Sequence, residues 1–168
     1  MIFSAAAEYG VRVMVELGQH GGDRPLSLKA IAEAEGLPLS YLEHIVPKLK
    51  GAGLIRASRG AHGGYWLARP ADEITMDEVV LALEGAVAPM ECFVNLPTER
   101  VSCSHVGDQG HSCSTKLLWM RVQGGIVKAL QGTTLADLVE FAAREHPIPA
   151  VPARGAVAHR HRIVSAVA

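Results

Sequence analysis

The chain has no run approaching the ~20 uninterrupted apolar residues of a membrane helix, so a spanning protein is not expected. It opens directly on an amphipathic pattern, without a basic leader or a small-residue cleavage site, and a cytoplasmic location with no membrane partner is the expectation. Cysteine is scarce. There are three, an odd count, all between residues 92 and 113, which is too few for a disulfide framework and turns the thiols toward metal or redox chemistry in a reducing cytosol. Lys and Arg are missing from Ala71 to Glu99, where Asp72, Glu73, Asp77, Glu78, Glu84, Glu91 and Glu99 stand alone. No catalytic constellation or substrate-pocket signature is legible, so an enzyme is not expected.

What remains is a 168-residue globular composition, 49% apolar and 20% charged, enough for one domain with a core or a small domain with an appendage. The net charge of −1 decides little, but its distribution matters. Between Ser40 and Pro70 the cations Lys48, Lys50, Arg56, Arg59 and Arg69 face the single acid Glu43. A near-neutral protein with one basic end can grip a polyanion there.

The stretch FSAAAEYGVRVMVELGQHG places Phe3, Ala6, Tyr9, Val13 and Leu17 at helical spacing, with Ser4 as cap and Gly21-Gly22 as the stop. In RPLSLKAIAEAEGL, Ser27 caps a second helix that ends at Gly36. Ser40 and Glu43 read as a capping box before a third helix, whose buried stripe is Leu42, Ile45, Val46 and Leu49, with Pro47 introducing a mild kink. Two short strands follow, LIRAS and GYWLAR, around the turn RGAHGG. A nucleotide phosphate loop would lead from glycines into a helix N-terminus, and here the glycines lead into a strand. Helix, turn, helix and basic hairpin outline a winged helix-turn-helix made to touch double-stranded DNA.

The late segment STKLLWMRVQGGIVKALQG puts Leu117, Met120, Gly124, Val127 and Leu130 on one stripe, flanked by Leu118, Trp119 and Val122. That apolar surface exceeds what a small domain covers, so a homodimer joined through this long helix, with Trp119 and Leu130 in the interface, is expected. Gly124-Gly125 suggests a close helix approach or a bend. The fold class is therefore mainly α with a small β-hairpin wing, and a long dimerisation helix. The expected divisions are 1–85 for the DNA-binding domain with the wing near 54–69, 86–113 for a cysteine-bearing loop, 114–145 for dimerisation helices, and 146–168 for a flexible tail.

That loop carries Cys92, Cys103 and Cys113, with His105 and His111 close by. Thiolates on chain not committed to regular structure suit a soft metal or an iron–sulfur cluster, because several ligands must converge. The spacing fits no zinc-finger or ferredoxin pattern. His105 or His111 is a candidate fourth ligand.

The segments SYLEHIVPKLKGAGLIRASRGAHGGYWLARPADEITMDEVV and, later, LW…TTLADL resemble the IscR/NsrR family of iron–sulfur and redox-responsive winged-helix repressors, from Met1 to about Leu138. The resemblance implies a dimer whose two reading heads meet the half-sites of a near-palindromic operator. It implies Tyr41, Glu43 and His44 in the major groove and Arg59 in the minor groove, with Ser40, Lys48, Lys50, Gly60 and His62 completing the contacts and both lysines on phosphates. The turn GAHGGY departs from the family's usual Pro- and Gly-richer wing at Ala61 and His62. The cysteine gaps, ten residues and then nine, are wider than the family's. Where IscR-like relatives carry a ligating histidine stands Lys116; where NsrR-like relatives lend a carboxylate from the partner's first helix stands Glu8. Two-iron and four-iron clusters both remain open. The alternatives are a cluster-free regulator responding through thiol oxidation, a small ligand or a partner protein, and an electron carrier or enzyme that would leave the winged helix unexplained.

Overall fold

The computed structural model describes residues 3–21, 24–60, 63–87 and 115–144. The first helix, α1 (Ala5–Gln19), starts where the Ser4 side chain accepts the Ala6 N–H, as expected of its cap. It buries Ala7, Gly10, Val13, Met14 and Leu17, a stripe shifted from the expected one, with Phe3, Ala6 and Tyr9 at its half-exposed edge. Helix α2 (Leu28–Glu35) is capped by Ser27 and closed by Gly36 in the left-handed region at φ 62°. The Leu37 N–H then reaches back to the Ala32 carbonyl at 2.9 Å.

That closure shortens the turn and corrects the expected start of the third helix. Helix α3 (Leu39–Gly51) begins after Pro38, whose carbonyl accepts from Tyr41 and Leu42. Ser40 and Glu43 thus lie inside the first turns, and no capping box forms. Pro47 sits within α3, where the missing N–H leaves the Glu43 carbonyl without its helical donor on an exposed face.

Strands β1 (Ile55–Ser58) and β2 (Gly64–Leu67) pair antiparallel, Ile55 opposite Leu67 and Ser58 opposite Gly64. Leu26 adds a third rung, exchanging hydrogen bonds with Tyr65 at 2.9 and 2.8 Å, which stitches the hairpin to the chain entering α2. A 3-10 turn (Ala71–Glu73) leads into α4 (Met76–Glu84). Thr75 and Glu78 form its capping box. Partial burial raises the Glu78 carboxyl, but the Thr75 N–H and the Arg69 guanidinium outweigh it and hold the group below the usual carboxylate range.

Helices α5 (Lys116–Gln131) and α6 (Leu135–Ala143) complete the described fold. Thr133 and Thr134 bring α6 back onto the chain before α4, through Met76 N–H to Thr133 O at 2.9 Å and Leu135 N–H to Ile74 O at 2.8 Å. The core joins Met14, Ile31, Leu42, Ile45, Leu49, Leu54, Ile55, Ile74 and Leu135. Each such side chain is worth about 1.5–3 kcal/mol on removal from water. Leu135, from the late helices, therefore shares one core with residues before 85. No helix among the described residues is long and apolar enough to cross a membrane.

Candidate nucleic-acid interface

Helix α3 turns Leu42, Ile45, Val46 and Leu49 inward and leaves Ser40, Glu43, His44, Pro47 and Lys50 exposed. Tyr41 is half-buried, its ring edge-on to Tyr9 of α1 with centroids 5.2 Å apart and planes at 76°. The Lys48 ammonium, expected on a phosphate, donates to the Leu83 carbonyl at 3.2 Å, against the open end of α4.

The wing is set by what its glycines permit. A side chain at Gly64 would put a Cβ 2.4 Å from the Leu26 carbonyl oxygen, so only glycine lets β2 approach that rung. Gly60 has φ +116° and accepts the Gly63 N–H at 2.9 Å, which turns the chain directly after the exposed Arg59. Gly60 thus aims its neighbour through its backbone. His62, named at the wing tip, and Ala61 lie outside the described residues. Ser27, Leu28, Lys50, Arg59, Gly63 and Tyr65 line a groove of about 450 Å³ between the N-terminus of α2, the C-terminal end of α3 and the wing.

The basic stretch separates by partner. Lys48 is on Leu83, Arg69 pairs with Glu78 at 2.7 Å, and the Arg56 guanidinium lies 5.6 Å from the ring centre of its cross-strand neighbour Trp66. Lys50 and Arg59 remain on the groove, where a polyanion fits. The Arg56–Trp66 pair and the Leu26 rung were missed in the sequence. The pair had a signal, since opposed positions on a hairpin follow once the turn is placed; the rung had none.

Glu8 is exposed on the first turn of α1, with no ion pair among the described residues. Arg12, one turn on, is bound to Glu35 at 2.8 Å and does not compete for it. Cys92, Cys103, Cys113, His105 and His111 lie outside the described residues, as does the tail. Among the described residues no group of His, Cys, Asp and Glu could hold a metal ion.

Helix α5 exposes Leu117, Leu118 and Met120 at 58%, 57% and 50%. A Cβ added at Gly124 or Gly125 would meet nothing within 4 Å among the described residues, and α5 continues through them. Leu130, expected in a shared interface, packs instead against its own core.

A recognition helix beside a stitched wing, with cations in the groove between them that have no partner among the described residues, defines a winged helix-turn-helix DNA-binding protein. The chain belongs to the Rrf2 family, described as iron-dependent transcriptional regulator, whose profile matches residues 3–141. It is 35% identical over 142 residues to Protein rrf2 of Nitratidesulfovibrio vulgaris, covering 84% of this chain and 89% of that one. Its fold is similar to that of CymR (YrzC), the global cysteine regulator of B. subtilis, at TM-score 0.68 and 33% identity, covering 84% of this chain and 98% of CymR. T. potens IscR is equally similar, at TM-score 0.68 and 34% identity, covering 88% and 93%. The chain is thus a DNA-binding transcription regulator, and the IscR/NsrR-type resemblance holds.

Proposed function

We propose that the protein is a homodimeric cytoplasmic repressor that reads a two-half-site operator and senses redox state, iron–sulfur status or nitric oxide through an iron–sulfur cluster. The observation that carries the DNA half is the groove lined by Lys50 and Arg59, neither of which has a partner among the described residues. Ser40, Glu43, His44 and the rim of Tyr41 meet base edges in the major groove, Lys50 a phosphate, and Arg59 with Gly60 and His62 the adjoining minor groove. Replacing Arg59 by alanine costs about 1–3 kcal/mol on the operator and little on random duplex, because a guanidinium in a narrow minor groove reads shape. Titration of both duplexes at several salt concentrations checks this, and equal losses on both would reduce Arg59 to a phosphate clamp.

The cluster is held by Cys92, Cys103 and Cys113 with Glu8 of the partner subunit as fourth ligand, or His105 or His111 in its place. The donor set supports it: three thiolates suit iron and sulfide, and Glu8 is an exposed carboxylate with no ion pair among the described residues. When bound, such a group supplies one-electron redox chemistry and a reactive site for nitric oxide. The chain's own part is to present Glu8 on the rigid first turn of α1, where a weak oxygen ligand makes that link the first to yield. A chain purified without oxygen carries iron and sulfide with visible absorbance. Cys92→Ala, Cys103→Ala and Cys113→Ala each abolish the absorbance, while Glu8→Ala keeps a cluster with an altered spectrum and shorter lifetime. A normal spectrum and decay in Glu8→Ala, with both perturbed in His105→Ala or His111→Ala, moves the fourth ligand into the loop.

The likeness to a cysteine regulator favours a second reading, a cluster-free switch through thiol oxidation, a small ligand or a partner protein. Protein lacking iron and sulfide after anaerobic purification, with DNA binding that follows thiol oxidation, selects it.

A further inference from the structure

Where α4 ends, three other helices converge on residues 83–87. The last carbonyls of a helix have no donor within it. The Leu83 carbonyl takes its donor from Lys48 of α3 at 3.2 Å, a cation at the negative end of a helix dipole. The next residue reaches the opposite way: the Glu84 carboxylate accepts the Ser4 N–H at 2.9 Å and the Ser4 hydroxyl as well. Ser4 is the cap of α1, so the carboxylate sits at the positive end of that helix. The Ser4 hydroxyl bond first, then nearby N–H groups and Lys48, hold the Glu84 carboxyl below its ordinary range. Three residues on, the Val87 carbonyl accepts from Gln123 of α5 at 3.1 Å. Residues 83–87 are therefore tied to the first helix, the recognition helix and the apolar helix at once, and lead in sequence to Cys92.

We propose that Lys48 and Glu84 are positioning residues: the end of α4 holds the recognition helix against the first helix, and a displacement of this junction re-aims α3 on DNA. In its regulatory role this rests on the reading of the cysteines as the sensor. The junction's few hydrogen bonds are exposed at Ser4–Glu84 and only partly buried at Lys48–Leu83, so their effect falls on orientation more than on whether the chain folds.

The test uses the full-length dimer with Lys48→Met, which keeps the stem and removes the charge, Lys48→Arg, which restores it, and Glu84→Ala. Lys48→Met is expected to weaken operator binding about tenfold while random duplex changes by less than about twofold, with the salt slope unchanged. Lys48→Arg recovers the affinity. Glu84→Ala, whose lost bonds are to α1, is expected to speed amide exchange in residues 48–51 of α3 as well as in the first turn of α1. Parallel losses on operator and random duplex, with a salt slope lower by about one contact, would make Lys48 a phosphate ligand and overturn the proposal. Unchanged affinity in Lys48→Met, or unchanged α3 exchange in Glu84→Ala, overturns it equally. Should Lys48→Met fail to fold, Glu84→Ala and Lys48→Arg still decide. Removing the cluster with ferricyanide and EDTA separates this from the sensor reading. A wild type indifferent to the treatment ends the sensor reading and the regulatory role, and the exchange arm still judges the junction. A Glu84→Ala dimer that responds as fully as the wild type ends the junction's regulatory role alone.

Discussion

If the proposed dimer forms through α5, a carboxylate at position 118 is expected to give folded monomers that no longer hold a two-half-site operator. Leu118 is 57% exposed on α5, beside Leu117 and Met120, and is not among the described residues that form or pack against the core. Leu118→Asp therefore leaves the described core intact. In a two-fold dimer each substitution appears twice, so two desolvated carboxylates face the seam. An unpaired buried charge costs about 3–5 kcal/mol, and one such charge per subunit exceeds what a modest helical interface can absorb. The two reading heads then bind independently, and the loss of linkage removes about 10²–10⁴ in operator affinity. Sedimentation with circular dichroism checks both halves, and a folded dimer at micromolar concentration defeats the assignment. Leu130→Asp is a less clean variant for this purpose, because Leu130 is partly buried against its own core and a carboxylate there is expected to lower stability as well.

Gly64→Val removes the wing. The added Cβ would lie 2.4 Å from the Leu26 oxygen, 2.6 Å from its carbon and 3.0 Å from the Ser27 nitrogen. All three are backbone atoms, so no rotamer relieves the clash, and the Leu26–Tyr65 rung must open. Two hydrogen bonds are lost and the hairpin shifts from the entry of α2, for about 2–4 kcal/mol of stability. The groove loses its shape together with that stability, because Gly63 and Gly64 form its floor between Lys50 and Arg59. Operator binding therefore falls further than in Arg59→Ala. Thermal unfolding and operator titration read the two effects, and a variant with wild-type values for both would show that the strands part without cost.

Local chemistry was legible wherever one residue decides it. Ser4 and Ser27 cap the helices they were expected to cap, Gly36 closes α2, and the hairpin falls within a residue or two of LIRAS and GYWLAR. The capping box at Ser40 was misplaced because Ser-x-x-Glu carries no information about the turn before it; the Leu37 bond to Ala32 started α3 earlier. The boxes at Thr75–Glu78 and Thr134–Asp137 carry the same signal, and neither is drawn from the sequence, where Glu78 counts only toward an acidic stretch. The fates of Lys48 and Arg69 were beyond any local pattern. A lysine four positions from a helix end looks the same whether it meets a phosphate or a carbonyl 35 residues away, and only packed helices choose between them. Of the candidate site, the groove and its cations emerged from charge distribution, whereas the cysteines rest on ligand chemistry alone.

Leu135 has a consequence for biosynthesis. Fully buried among Met14, Ile74 and their neighbours, it comes from α6, more than a hundred residues after the helix it covers. Such sequence-distant closure delays folding, since the long intervening loop must be brought together before the contact repays it. On the ribosome, residues 1–85 emerge with an open slot where Leu135 belongs, and they remain a nascent, incompletely sealed domain until α6 follows. A chain cut short before α6 is therefore expected to expose an apolar slot where Leu135 belongs and to be cleaved faster by added protease than the full chain.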